Sequence, residues 1–295
     1  MGSLLRGNAL FALAAAALWG GGDFSGGMGV KSAGGNVRAA LRVVLLSHIT
    51  SFAVLVAIAR LRGDVFPHGA LLAWGLGAGV AGGLSLTGFY IALSRGGMGA
   101  SAAVSGLLAA AIPAAVALWQ EGSPGTLPLL GFAVAGAAIW LIAAGPAADS
   151  GTRSARSTAV LAMLAGVGFG VYFVALKMAG PAGVVWPMAT ARIGSLTVCS
   201  VMLLSLGRQR DGEARVRLNR RAVGWALSTA LLDTSGNLLF LAATRAGRLD
   251  VAAVLASLYP ASTILLAALA LGERPTRRQA LGMLTAVIAV AMITL

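Results

Sequence analysis

Four charged side chains lie inside otherwise apolar stretches of this chain: Asp23, Arg42, Arg192 and Asp233. Their formal charges cancel. An ionised side chain at the centre of a bilayer costs about 2.5–3.5 kcal/mol on insertion scales, so one that persists there faces a cavity or a partner. Two acids and two arginines in that setting suit a polar path. An arginine receives a carboxylate, and an aspartate receives an ammonium group or carries a proton. The structural counterpart is a pair of fixed internal struts, or an Arg42 that snorkels to the interface. Trp19, Tyr90, Tyr172, Asn237 and Tyr259 add polar handles on apolar walls, and each equally suits an interhelical hydrogen bond. His48 reads as a packed or hydrogen-bonded histidine. Glycines 20–22, 26 and 27 would loosen the helix around Asp23, with Gly22 as the break, and Pro113 and Pro260 remove backbone hydrogen bonds. Backbone groups freed at membrane depth are tolerated where they line a cavity. That reasoning puts the path among the first, fourth and ninth apolar runs.

Such residues need elements to hold them, and the composition says which. Of 295 residues 58% are hydrophobic and 11% charged, against about 25% charged in soluble domains. A water-soluble fold and a disordered chain are both excluded. Glycine supplies 41 residues, about twice the usual ~7%, and small residues let membrane helices pack closely. Apolar runs fall at 8–28, 37–59, 70–93, 99–119, 127–144, 157–178, 184–206, 222–243, 250–271 and 279–295. Each approaches the roughly 20 residues of a spanning helix. The expected fold is an all-α integral membrane protein of about ten transmembrane helices. The first run resembles a secretory signal, but a similar segment recurs mid-chain, where no signal acts.

The net charge is +13. Basic residues gather in the loops after odd-numbered runs: Lys31, Arg38, Arg95, Arg153, Arg156, Arg208, Arg210, Arg215, Arg217, Arg220, Arg221, Arg274, Arg277 and Arg278. The other side holds Arg6, Arg60, Arg62, Lys177, Arg245 and Arg248. The positive-inside rule then makes the odd loops cytoplasmic and both termini extracytoplasmic, in a bacterial inner membrane. No basic stripe with interleaved aromatics speaks for nucleic acid. One cysteine, Cys199, and two histidines, His48 and His68, supply neither a disulfide nor a zinc site. The stretch 77–82 fits G-x-G-x-x-G inside an apolar run with no strand before it, so no dinucleotide or other cofactor is expected.

Two parallels recur at a spacing of 150 residues. Ala39-Ala40-Leu41-Arg42 matches Ala189-Thr190-Ala191-Arg192, and Ser94-Arg95-Gly96-Gly97 matches Thr244-Arg245-Ala246-Gly247. Gln120-Glu121-Gly122 faces Gly272-Glu273-Arg274 with two residues of slippage. The chain divides into five-helix halves, 1–145 and 157–295, joined by a linker at 146–156. An odd number of spans inverts the second half, the arrangement many transporters use around a midplane site. Counting from the span ends, Asp23 and Arg42 both lie roughly 8 Å deep, and Arg192 and Asp233 both near mid-span. Two acid–arginine pairs are expected. Glu121 and Glu273 each end a span and read as structural, pairing with a loop arginine. Trp186 beside Pro187 reads as an interfacial anchor.

Leu18-Trp19-Gly20, Leu258-Tyr259-Pro260 and the segment Leu269-Ala270-Leu271-Gly272-Glu273-Arg274-Pro275-Thr276, leading to Leu281-Gly282, resemble the EamA family of the drug/metabolite transporter superfamily. The resemblance covers nearly the whole chain. It departs at Pro113, which lies out of register with Pro260, and at Asp23, where the family more often carries an uncharged polar residue. It implies ten helices and transport of small metabolites, often export.

Together these readings describe a secondary transporter, not an enzyme, moving amino acids or similar small zwitterions by alternating access, with protons and membrane lipid as further partners and a monomer or homodimer as the unit. A drug, nucleobase or sugar permease is the variant within transport. The alternative class is an integral-membrane enzyme acting on lipid-linked substrates. It would need clustered acids or histidines near an interface, whereas the acids here are scattered.

Overall fold

The computed structural model describes residues 2–95, 98–143, 152–207, 218–271 and 276–294. The linker at 146–156 therefore lies largely outside the described residues, as do Glu273 and most of the basic loop around 208–217. The elements are α1 (Gly2–Ser32), α2 (Val37–Arg62), α3 (Gly69–Ser94), α4 (Met98–Glu121), α5 (Thr126–Ala143), α6 (Thr152–Ala179), α7 (Val185–Gly207), α8 (Arg220–Ala246), α9 (Leu249–Ala256), α10 (Tyr259–Leu271) and α11 (Arg277–Thr294). No strand occurs among the described residues. Each apolar run contains a helix or, in the ninth, two. Seven helical segments among the described residues are long and apolar enough to cross a bilayer, and Thr126–Ile142 is a shorter apolar helix. The chain is a multi-pass membrane protein.

Local chemistry sets the helix ends. Asn36 and Asn219 cap α2 and α8, accepting from Ala39 N at 2.8 Å and Ala222 N at 2.7 Å, which satisfies donors the first turn leaves orphaned. Gly63 closes α2 at φ 68°. Thr276 and Gln279 exchange bonds at the start of α11, Gln279 N donating to Thr276 Oγ1 and Thr276 N to Gln279 Oε1, a capping box.

Side-chain contacts tie the helix ends together in two groups. At one end Arg248 Nη2 donates to Gly122 O (2.6 Å) and Arg245 Nη1 to Gly180 O (2.5 Å), and Lys177 pairs with Glu121. At the other, Arg38 Nη2 reaches Leu206 O (2.9 Å), Asn219 Nδ2 reaches Ser32 O (2.8 Å) and Arg95 Nη1 reaches Ser157 Oγ (3.2 Å). Glu121 thus pairs with a lysine of α6 and not with a loop arginine. Arg248 takes the backbone carbonyls of Glu121 and Gly122 instead. Trp186 is also not an interfacial anchor. It is buried, and its indole N–H donates to Asp64 O at 2.8 Å, tying α7 to the loop after α2.

The expected helix breaks divide. The ninth run breaks at residues 257–258, and Pro260 stands in the first turn of α10, where its missing N–H costs nothing. At Pro113 α4 runs on unbroken, and at Gly22 so does α1. The glycines of α1 serve close approach. A Cβ on Gly22 would lie 3.3 Å from Asp233 N, and one on Gly20 2.8 Å from Tyr259 O. Replacing Pro113 by Ala should therefore stabilise the protein, by up to ~3 kcal/mol on the soluble-helix scale. A lowered thermal midpoint in detergent would show that the proline shapes α4 after all.

Candidate functional site

Arginine at position 192 carries five N–H donors, and the neighbouring helices supply three acceptors. Nε donates to Ser51 Oγ (3.0 Å), Nη1 to His48 Nε2 (2.8 Å) and Nη2 to Asp233 Oδ2 (2.5 Å). A guanidinium only donates, so His48 Nε2 must accept, and the remaining ring proton sits on Nδ1 and is donated to Ser195 Oγ at 2.6 Å. His48 is neutral in this arrangement. Thr234 Oγ1 donates to Ser51 Oγ at 2.6 Å. On the far side of the ion pair, Asn237 Nδ2 donates to Asp233 Oδ1 (2.9 Å), and the Tyr172 hydroxyl donates to Asn237 Oδ1 (2.6 Å). One hydrogen-bonded chain therefore runs from α7 and α2 through α8 to α6.

This hydrogen-bonded network borders a cavity between the helices. Asp23 and Trp19 of α1, one turn apart, share it with Tyr172 and Phe173 of α6 and Tyr259 of α10. Its α3 wall is Gly79, Gly82, Gly83 and Leu86. Trp19 stacks on Phe173 with centroids 5.1 Å apart and planes 9° apart, and meets Tyr259 edge-on at 6.5 Å. Tyr259 is held from behind, its hydroxyl bonded to Ser105 Oγ of α4 at 2.6 Å.

Asp23 differs from the rest. The residue is 9% exposed, it lines the cavity, and it makes no hydrogen bond or ion pair with any described residue. The expected Asp23–Arg42 pair does not form. Arg42 lies six residues before His48, about 120° around α2 at 3.6 residues per turn, so its side chain points away from the cavity that His48 lines. Its Nη1 is buried without a partner. Tyr90 is likewise not among the cavity-lining side chains. Its ring packs over Gly26 of α1, and its hydroxyl has no hydrogen-bond partner. The residues lining the cavity come from α1, α2, α3, α6, α7, α8 and α10, and α4 touches it only through Ser105 behind Tyr259. Ser51, Ser195 and Thr234 were not anticipated, although Ser51 and Ser195 stand at i+3 from His48 and Arg192, a spacing that shares a helix face. Arg42→Gln should leave thermal stability and solute binding close to those of the wild type. A large loss in either would return Arg42 to the site.

Comparison with known proteins agrees with the fold. Residues 156–295 match the EamA-like transporter family, part of the drug/metabolite transporter superfamily. No protein among those of curated function matches in sequence. A protein of known crystal structure superposes with a TM-score of 0.69 at 17% identity, over 97% of this chain and 95% of its own. At that identity the likeness speaks for the fold alone.

Proposed function

From the premise that residues 156–295 form an EamA-like transporter unit, we propose that the whole chain is a secondary transporter of small solutes, exporting amino acids or similar small zwitterions by alternating access. The observation that carries this reading is a cavity among the apolar helices that holds both Asp23, which pairs with no other described residue, and a hydrogen-bonded arginine, Arg192. Asp23 receives the ammonium end of the solute or, between solutes, a proton. Trp19, Tyr172, Asn237 and Tyr259 give it an aromatic and polar wall.

The reading includes two inverted five-helix repeats, 1–145 and 157–295. Packing supports them. A Cβ on Gly20 would meet Ser262, and one on Gly170 would meet Ile112. The two contacts interchange when 150 is added to one member and subtracted from the other. In the same way α1 packs on α8 and α6 on α3, while α2 packs on α7 and α5 on α11. Two such halves related by inversion can exchange conformations and so open the cavity to either side. The distribution of basic residues supports termini outside the cytoplasm of a bacterial inner membrane.

Reconstitution into liposomes tests the proposal. Saturable counterflow of a labelled amino acid is expected. If no solute exchanges while a lipid-linked substrate is turned over to product, the protein is a membrane enzyme and the transport reading falls.

A further inference from the structure

The charged groups around the cavity do not balance. Two carboxylates, Asp23 and Asp233, face one guanidinium, Arg192, and the tautomer imposed on His48 leaves that ring neutral. With both acids ionised one negative charge remains, and it falls to Asp23, because Asp233 is bonded on both oxygens, Oδ2 by Arg192 and Oδ1 by Asn237. Arg192 is occupied on Nε, Nη1 and Nη2 by Ser51, His48 and Asp233. An incoming carboxylate can reach the N–H groups left on Nη1 and Nη2, but it brings a second negative charge beside Asp233, which already neutralises this guanidinium. An incoming ammonium meets an acid that pairs with no other described residue.

The surroundings of Asp23 favour the same sign. Trp19 precedes it by four residues, so both side chains project from one face of α1. The Trp19 ring is pinned against Phe173 and Tyr259, and the face of an aromatic ring attracts a cation most strongly where water is excluded. Among the described residues no lysine or further arginine lines the cavity.

We propose that the cavity recognises its solute by a single protonated amine placed between Asp23 and Trp19, and that the solute's carboxylate is dispensable: aryl-alkyl amines are ligands in their own right, bound at least as tightly as the corresponding amino acids. This rests on the transport reading and sharpens it from zwitterions to monocationic amines. The bulk of such a ligand lies along the apolar side of the cavity, and its charge is met by the one acid left unpaired among the described residues.

Three compounds with one carbon skeleton separate the alternatives: phenethylamine, phenylalanine and 3-phenylpropionate. They carry respectively the amine alone, amine and carboxylate, and carboxylate alone. Binding is measured by calorimetry on the full-length protein in nanodiscs. Phenethylamine is expected to bind at least as tightly as phenylalanine, and 3-phenylpropionate at least tenfold more weakly than either. Asp23→Asn, which keeps the side chain's shape, is expected to weaken phenethylamine at least tenfold while the protein still elutes as the wild type does on size exclusion. Tighter binding of phenylalanine or 3-phenylpropionate than of phenethylamine overturns the inference, as does binding of none of the three, or an Asp23→Asn protein that binds phenethylamine unchanged. The order of the three ligands on wild-type protein decides the matter even if the variant misfolds. Amino-acid counterflow in liposomes with no affinity for phenethylamine would leave the transporter standing and remove only the amine selectivity.

Discussion

Arg192→Gln is expected to be among the most damaging single substitutions in this protein, lowering its stability in detergent by about 3–5 kcal/mol, the usual cost of removing one partner from a buried ion pair. The arginine side chain is 5% exposed and that of Asp233 15%, so little solvent is at hand to replace the lost contact. The substitution also strips the donors from His48 Nε2 and Ser51 Oγ. The decisive variant is the double one. Arg192→Gln with Asp233→Asn removes both charges and leaves two amides able to bond to each other, so part of the loss should be recovered. A double-mutant cycle read by denaturant unfolding should give a coupling energy of ~1–3 kcal/mol. If the double variant loses the sum of the single losses, the pair does not act as a unit, and the view of Arg192 as already engaged fails with it.

Gly79→Val should prevent folding outright, whereas Gly77→Val, half a turn away on the same helix, should be tolerated. The α3–α7 crossing explains the contrast. A Cβ on Gly79 would lie 2.7 Å from the carbonyl carbon and 2.9 Å from Cα of Ala191, while one on Gly77 has nothing within 4 Å. Gly194 answers from the other helix, its Cβ falling 3.0 Å from the carbonyl carbon of Leu76 and 3.1 Å from Val80 N. All four of these neighbours are backbone atoms, which cannot swing aside as a side chain can. Overpacking usually costs ~1–3 kcal/mol. Here it would push apart two helices that both contribute to the cavity, so the loss should exceed that range. Yield and monodispersity on size exclusion after membrane extraction provide the measurement. A well-folded Gly79→Val protein would mean that α3 and α7 pack more loosely than the structure shows. The crossing also accounts for the spurious G-x-G-x-x-G at 77–82, whose glycines at 79 and 82 are there for helix contact and cavity room, not for a dinucleotide.

Length of apolar run and scarcity of charge were enough to determine that this chain is a helical membrane protein and, to within a few residues, where most of its helices fall. Arg192 and Asp233 could be matched by counting residues from the span ends, because depth along a helix is a linear quantity. Rotation about the helix axis is not. In a soluble helix the polar face betrays it. In a membrane helix, lipid and protein interior are both apolar, so the pattern along the chain carries little record of which side faces inward. Arg42 and Arg192 sit in nearly the same local sequence, Ala39-Ala40-Leu41-Arg42 and Ala189-Thr190-Ala191-Arg192, yet only Arg192 reaches the cavity. Asp23 and Arg42 share a depth and never meet. The tertiary structure alone decided those pairings, because an ion pair needs two side chains at the same height and also on facing sides of their helices, and the second condition is fixed only when the helices pack.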